Sequence, residues 1–234
     1  MRLYFTIYQV GTAEIRIVFK QIKGLVSSID RPFFILKRQG QLKRYLYHCG
    51  MVKEELVVLV NAEDQEIGRM EKQEAHVKGE LHRAFSVFLY NEKGEVLLQR
   101  RALHKYHSGG LWTNTCCSHP RPEEAPADAA KRRLVEEMGI EASFSHAFSF
   151  IYKQQVGDLI EHELDHVFIG SFDGEAVINP EEVAEAKYIS VEALKADMAL
   201  NPKAYTIWFR LCFERVEQFR ADGNKALASI PFLS

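Results

Sequence analysis

Cys117 and His119 stand two residues apart in the run Leu111-Trp112-Thr113-Asn114-Thr115-Cys116-Cys117-Ser118-His119-Pro120. In extended chain, residues spaced by two leave the backbone on the same side. A thiol and an imidazole so placed suit a nucleophile, a proton donor or a pair of metal ligands. A single cysteine is more often a buried structural residue. Here a histidine neighbour and a helix start just downstream add the charge and dipole that tune thiol acidity.

Glu161 and Glu163 alternate with His162 and Leu164, so in a strand they share a face, where two like charges repel unless a cation lies between them. His76, His82 and His119 fall outside obvious core patterns. Three imidazoles and two carboxylates would fill five positions of an octahedron and leave one open. The competing reading is a set of ordinary surface histidines among the nine present. His104, His107, His146, His162 and His166 are assigned to surface or packing. Arg133 and Glu137, four apart, meet on one helix face, where an exposed pair is worth ~0.3–0.5 kcal/mol. Lys72, Arg100, Arg101 and Lys105 read individually as solvated charges, and Trp208 as core.

Those residues need elements to hold them. Residues 56–60, 84–90, 96–101, 144–152, 159–169 and 187–190 read as strands, and 91–95 as a Gly-containing hairpin loop. Residues 61–68 read as a polar turn. A helix is expected from near Glu124–Pro126 to Gly139, with Ala127, Ala130, Leu134 and Met138 as its core stripe. Ser190 caps a short helix. Asn201 and Pro202 are expected as N-cap and first residue of the last helix, with Ala204, Ile207, Leu211 and Phe219 buried. The fold class is α+β, one domain over about residues 52–220.

The 234 residues, 47% hydrophobic and 26% charged, suit a globular chain with a sizeable core. Residues 1–50 hold nine Lys/Arg against Glu14 and Asp30, a surplus of seven that leaves the rest at −9. An acidic body is a poor nucleic-acid binder, since phosphate neutralisation dominates that affinity. Four cysteines, two adjacent, make no disulfide framework and read as reduced, cytoplasmic thiols. No apolar run reaches the length of a membrane span. Residues 1–50 are expected to be a basic N-terminal extension, either disordered or a mis-assigned start ahead of Met51, with a targeting segment or basic binding arm as the alternative. Residues 51–234 carry the main domain.

Ser118, Glu124, Arg132, Arg133, Leu134, Glu136, Glu137, Gly139 and Ile140 fall at the spacing of a Nudix box, with Ser118 in place of the leading Gly and Arg133 in place of a Glu. Together with Thr113–Pro120, Arg100-Arg101-Ala102-Leu103, Leu81-His82-Arg83-Ala84-Phe85 and Glu161-His162-Glu163, this run resembles the type 1 isopentenyl-diphosphate isomerases of the Nudix superfamily. The resemblance covers about residues 52–215.

It implies a Nudix-like α/β/α sandwich with a mixed β-sheet, and an enzyme that interconverts isopentenyl and dimethylallyl diphosphate. Cys117 and Glu163 match the catalytic pair, with Tyr152 beside the carboxylate and Trp208 facing the hydrocarbon. His76, His82, His119, Glu161 and Glu163 match ligands of a divalent metal, Mn²⁺, Mg²⁺ or Zn²⁺. Glu137 matches a residue that helps bind a Mg²⁺ bridging to the diphosphate. Lys72, Arg101, Lys105, Arg133 and Ser118 match diphosphate-binding positions. A Nudix-type pyrophosphohydrolase is the alternative, and Arg133 weakens the carboxylate cluster it needs.

Overall fold

The computed structural model describes residues 55–105 and 107–223 in full, and residues 33–38, 41–46 and 232–233 through the backbone. The chain divides into two units, Met1–Lys53 and Glu54–Ser234. In the first, β1 (Phe33–Arg38) and β2 (Gln41–Leu46) pair antiparallel, with Phe33 opposite Leu46. A basic set, Lys37, Arg38, Lys43 and Arg44, lies on the facing ends of these strands. The β-favouring residues Phe33 to Leu36 and Tyr45-Leu46 flank it and explain the pairing. The runs at 3–10 and 15–19 lie outside the described residues.

The second unit is one mixed sheet. Its strands are β3 (Leu56–Val60), β4 (Glu66–Glu71), β5 (His82–Tyr90), β6 (Val96–Arg101), β7 (Trp112–Thr113), β8 (Cys116–Ser118), β9 (Ser143–Val156), β10 (Leu159–Ser171), β11 (Val183–Ile189) and β12 (Phe232–Leu233). The main order is β11-β6-β5-β10-β9-β12, with β3, β7 and β8 pairing onto β5 and β6 and β4 pairing onto β3. β10 runs parallel to β5 and antiparallel to β9. The helices are α1 (Lys72–Lys78), α2 (Pro126–Met138), α3 (Val191–Leu200) and α4 (Ile207–Ala221).

Strand alternation loads both sheet faces. Phe85, Val87 and Leu89 pack with Ala129, Ala130, Leu134 and Met138 of α2. Phe88 and Tyr90 point the other way, onto Trp208, Phe209, Cys212, Phe213 and Val216 of α4. Each large apolar side chain so buried contributes roughly 1.5–3 kcal/mol. The result is the expected α+β, α/β/α sandwich.

Two expectations need correction, and one helix stands where none was expected. The turn at 61–68 ends early, because Glu66–Glu71 pairs with β3 as β4. His76 sits on α1, which ends at Gly79 with φ 66°, where a Cβ would lie 2.9 Å from Ile160 Cγ2. Only glycine fits that position without strain. Asn201 and Pro202 do cap and open a turn, the 3-10 turn Pro202–Ala204, but the last helix starts separately at Ile207. The Thr206 N–H donates to the Trp112 carbonyl (3.0 Å) and Tyr205 bridges to Trp112, so the chain is still extended there. Its buried stripe is accordingly Trp208, Phe209, Cys212, Phe213, Val216 and Phe219, with Ile207 and Leu211 only half-buried.

Candidate active site

The register of four strands assembles the site. β10 places Glu163 opposite His82 of β5 on one side and Tyr152 of β9 on the other. β8 places Cys117 opposite Ser86 of β5. Glu161, Glu163 and Asp165 alternate along β10 and are all buried.

The central stretch is buried although it is polar. Thr113, Asn114 and Thr115 are fully buried, and each is satisfied. Thr113 Oγ1 accepts from Trp208 Nε1 (2.9 Å) and Thr206 Oγ1 (2.9 Å) and donates to Asn114 Oδ1 (2.8 Å). That exhausts a hydroxyl's one donor and two lone pairs. Asn114 Nδ2 donates to the Cys116 and Val87 carbonyls, and Thr115 Oγ1 to the Leu97 carbonyl (2.6 Å). This network fixes both the Cys117 backbone and the Trp208 indole. Cys116 points to the α2 face and Cys117 to the α4 face, and both are free thiols.

Three imidazoles and a carboxylate converge behind the thiol. One nitrogen or oxygen from each of His76, His82, His119 and Glu163 lies within 4.8 Å of the others. His76 Nδ1 is 2.6 Å from the Lys72 carbonyl and His82 Nδ1 is 2.8 Å from the Glu80 carbonyl. A carbonyl only accepts, so each Nδ1 carries a proton, and in the neutral ring Nε2 presents the lone pair. His82 Nε2 is buried and has no hydrogen-bond partner. A carbonyl behind each imidazole and a bare Nε2 in front is how metal-binding histidines are held, so these residues fit a divalent cation. Glu161 stands 3.6 Å from His76 Nε2 and groups with His76 and His107.

Burial and charge set the proton inventory. Burial pushes the Cys117 thiol up to about 11 against the pull of Arg101, so it is protonated at neutral pH. Burial also holds the His119 imidazole down at about 3. At Glu163, burial acts upward, but His119, hydrogen-bonded to it, and the nearby His82, 3.6 Å away, outweigh it and hold the carboxyl well below its usual range. Tyr152 Oη donates to Glu163 Oε2 (2.5 Å). Burial, reinforced by the Glu163 charge, pushes the Asp165 carboxyl well above its ordinary range, with Ser86 Oγ donating to it (2.8 Å).

A cavity of about 340 Å³ joins these groups. Cys117, His119, Glu161, Glu163 and Trp208 line it, with Lys72, Arg101, Lys105, Arg133, Ser118 and Glu137. His76 lines it too, while His82 and Tyr152 stand behind its wall through Glu163. Arg101 Nη1 reaches Cys117 Sγ (3.8 Å), its Cζ lies 5.3 Å from the Trp208 ring, and its buried Nε has no acceptor among the described residues. Arg100, in contrast, turns outward to the Gly110 carbonyl and Glu185.

A family model for the NUDIX domain matches residues 80–209. An isopentenyl-diphosphate Delta-isomerase 2 from Aromatoleum aromaticum is 48% identical over 177 residues, 75% of this chain and 94% of that one. An isopentenyl-diphosphate Delta-isomerase from Pectobacterium atrosepticum is 50% identical over 164 residues, covering 70% and 92%. The chain belongs to the isopentenyl-diphosphate Delta-isomerase family of Nudix proteins. A solved structure from Deinococcus radiodurans, 20% identical with a TM-score of 0.52 over 62% of this chain and 90% of that one, shares the fold.

The Nudix box itself is rebuilt as an ion network. Arg132 is bidentate to Glu124 (2.7 and 2.8 Å) and reaches Glu136 (3.1 Å). Arg133 Nη2 reaches Glu137 (2.6 Å) and Glu182 (3.0 Å), and Gln99 Nε2 holds the other Glu137 oxygen (2.9 Å). Of the histidines assigned to surface or packing, His107 needs correction, because its loop carries it into the cavity against Glu161 and Trp208. Glu55, which meets Lys72 (3.1 Å), and Glu182 were not singled out in the sequence. In the chain they read as acidic residues beside turns, and no spacing connects them to the cations they meet.

Proposed function

We infer that the protein interconverts isopentenyl and dimethylallyl diphosphate by adding a proton at C4 and removing one from C2, through a tertiary carbocation. The observation that carries this reading is that Cys117 and Glu163, from different strands, line one cavity with four cationic side chains and an indole. One member of the pair gives a proton and the other accepts one, so the net charge of the substrate is unchanged. Tyr152 Oη donates its hydrogen to Glu163 Oε2 and can pass that proton to it. The Trp208 face stabilises the cation by up to ~2 kcal/mol without offering a base. Its anchoring to Thr113 keeps that face in place.

Lys72, Arg101, Lys105, Arg133 and Ser118 bind the diphosphate through charge-assisted hydrogen bonds. His76, His82, His119, Glu161 and Glu163 would hold a divalent metal, and the nitrogen-rich set suits Mn²⁺ or Zn²⁺ better than Mg²⁺. Glu137 would join the diphosphate in holding a Mg²⁺. A cation held there would withdraw charge from the Glu163 carboxyl and ease the loss of a proton that it takes up during the reaction.

The substrate is a small molecule. Among the described residues no helix is long and apolar enough to cross a membrane. The free cysteines suit a reducing, cytoplasmic setting. Residues 1–50 take no part in this reading. A pyrophosphohydrolase is disfavoured because Arg133 stands among the carboxylates of α2, where a hydrolase needs them free to activate water. Purified protein with isopentenyl diphosphate and Mg²⁺ or Mn²⁺ tests the reading. Dimethylallyl diphosphate is expected, and released phosphate without it would overturn the isomerase.

A further inference from the structure

Lys105 comes from the loop at 102–111 and Arg133 from α2, and a single side chain joins them. Glu182 places Oε2 on Lys105 Nζ and Oε1 on Arg133 Nη2 (3.0 Å). All three line the cavity. The backbone of Glu182 is tied on both sides, with its N–H donating to the Asn179 carbonyl (2.9 Å) and its carbonyl accepting from Ala102 N–H (2.9 Å). Burial acts upward on its carboxyl, but Lys105 and Arg133 pull it down to about 2, so it is ionised throughout the working range.

We propose that Glu182 is a positioning residue for the diphosphate: a fixed carboxylate strut that sets the spacing and direction of the Lys105 ammonium and the Arg133 guanidinium. The proposal rests on the isomerase reading for the identity of the ligand. A lysine is a flexible point charge with three donors. Glu182 engages one of them, and the rest stay available to a phosphate oxygen. Without the strut, Lys105 regains rotamer freedom that ligand binding must then remove. The neighbouring Glu181 is mostly exposed, and its carboxylate pairs with His104 (3.7 Å) and with no Lys or Arg among the described residues, so it does not share this role.

Glu182→Gln keeps the side chain's size and removes its charge. Calorimetric titration with inorganic pyrophosphate in the presence of Mg²⁺ is expected to show at least a tenfold weaker Kd. KM for isopentenyl diphosphate is expected to rise by a like factor while kcat stays within threefold. Glu181→Gln is expected to bind as the unaltered protein does. In a double-mutant cycle, Glu182→Gln is expected to cost less in the Lys105→Gln background than in the unaltered protein, because part of its effect passes through that lysine and the rest through Arg133. An unchanged Kd would overturn the proposal, and so would a tighter one, which would mark Glu182 as a competitor for the cations. Additive effects in the cycle would overturn it as well. If Glu182→Gln does not fold, Glu182→Asp, which keeps the charge but is one methylene too short to bridge both cations, carries the same test. Failure of the unaltered protein to isomerise would sink the isomerase reading instead, and pyrophosphate binding separates the two.

Discussion

Tyr152 Oη lies 2.5 Å from Glu163 Oε2, while His119 Nε2 lies 2.9 Å from Glu163 Oε1. One carboxylate thus faces a proton-bearing phenol with one oxygen and the imidazole cluster with the other. Tyr152→Phe keeps the ring and removes only the hydroxyl. It is expected to lower kcat about 10- to 100-fold, at the modest end for loss of a proton-transfer partner, with KM for isopentenyl diphosphate little changed. Steady-state rates at several substrate concentrations check this, and an unchanged kcat would remove the phenol from the chemistry.

Cys117→Ala and Glu163→Gln each delete one half of the acid–base pair. Isomerisation is expected to fall below detection in both, while pyrophosphate binding stays within a few-fold, since the cations of the cavity remain. Full activity in either variant would exclude that residue from the mechanism.

The half-buried Cys117 thiol, at about 11, is expected to react slowly with iodoacetamide at pH 7. Because burial disfavours the thiolate, its fraction rises only as pH approaches the folded-state value. The alkylation rate of the metal-free protein should climb toward a midpoint near 11. A midpoint at the ordinary ~8.5 of a free thiol would contradict the burial argument.

A cation that binds only the folded chain stabilises it by mass action, about 2.7 kcal/mol at a hundredfold excess over Kd. Chelation is therefore expected to lower Tm as well as activity, and added Mn²⁺ or Zn²⁺ to restore both. Loss of an imidazole in His82→Ala or His119→Ala should abolish the metal-dependent rise in Tm. Melting curves with and without chelator measure this apart from turnover.

Thr113→Val replaces the hydroxyl on which Trp208 Nε1, Thr206 Oγ1 and Asn114 Oδ1 converge. Buried donors left unpaired cost about 1–3 kcal/mol. Urea unfolding is expected to show a loss of that size, with kcat reduced through a displaced indole.

Much of this protein was already written in its sequence. Alternation in the strands, the Pro126-to-Gly139 punctuation of α2 and the two-residue spacings of Cys117/His119 and Glu161/Glu163 are local properties, fixed by backbone periodicity. The Nudix-type spacing from Ser118 to Ile140 and the Thr113–Pro120 run pointed to the family for the same reason. Local pattern failed at α4, where Asn201-Pro202 looks like a helix start but pairing of Tyr205 and Thr206 with Trp112 delays it to Ile207. It failed again at His107, which a loop delivers to Glu161, and at Glu182, which joins Lys105 to Arg133. Those partners are separated by tens of residues, and no periodicity connects them. Strand register brought Glu163 between His82 and Tyr152, and burial inside that register set which groups hold protons. Periodicity acts along the chain and can be read there, whereas register and burial exist only once distant segments have packed.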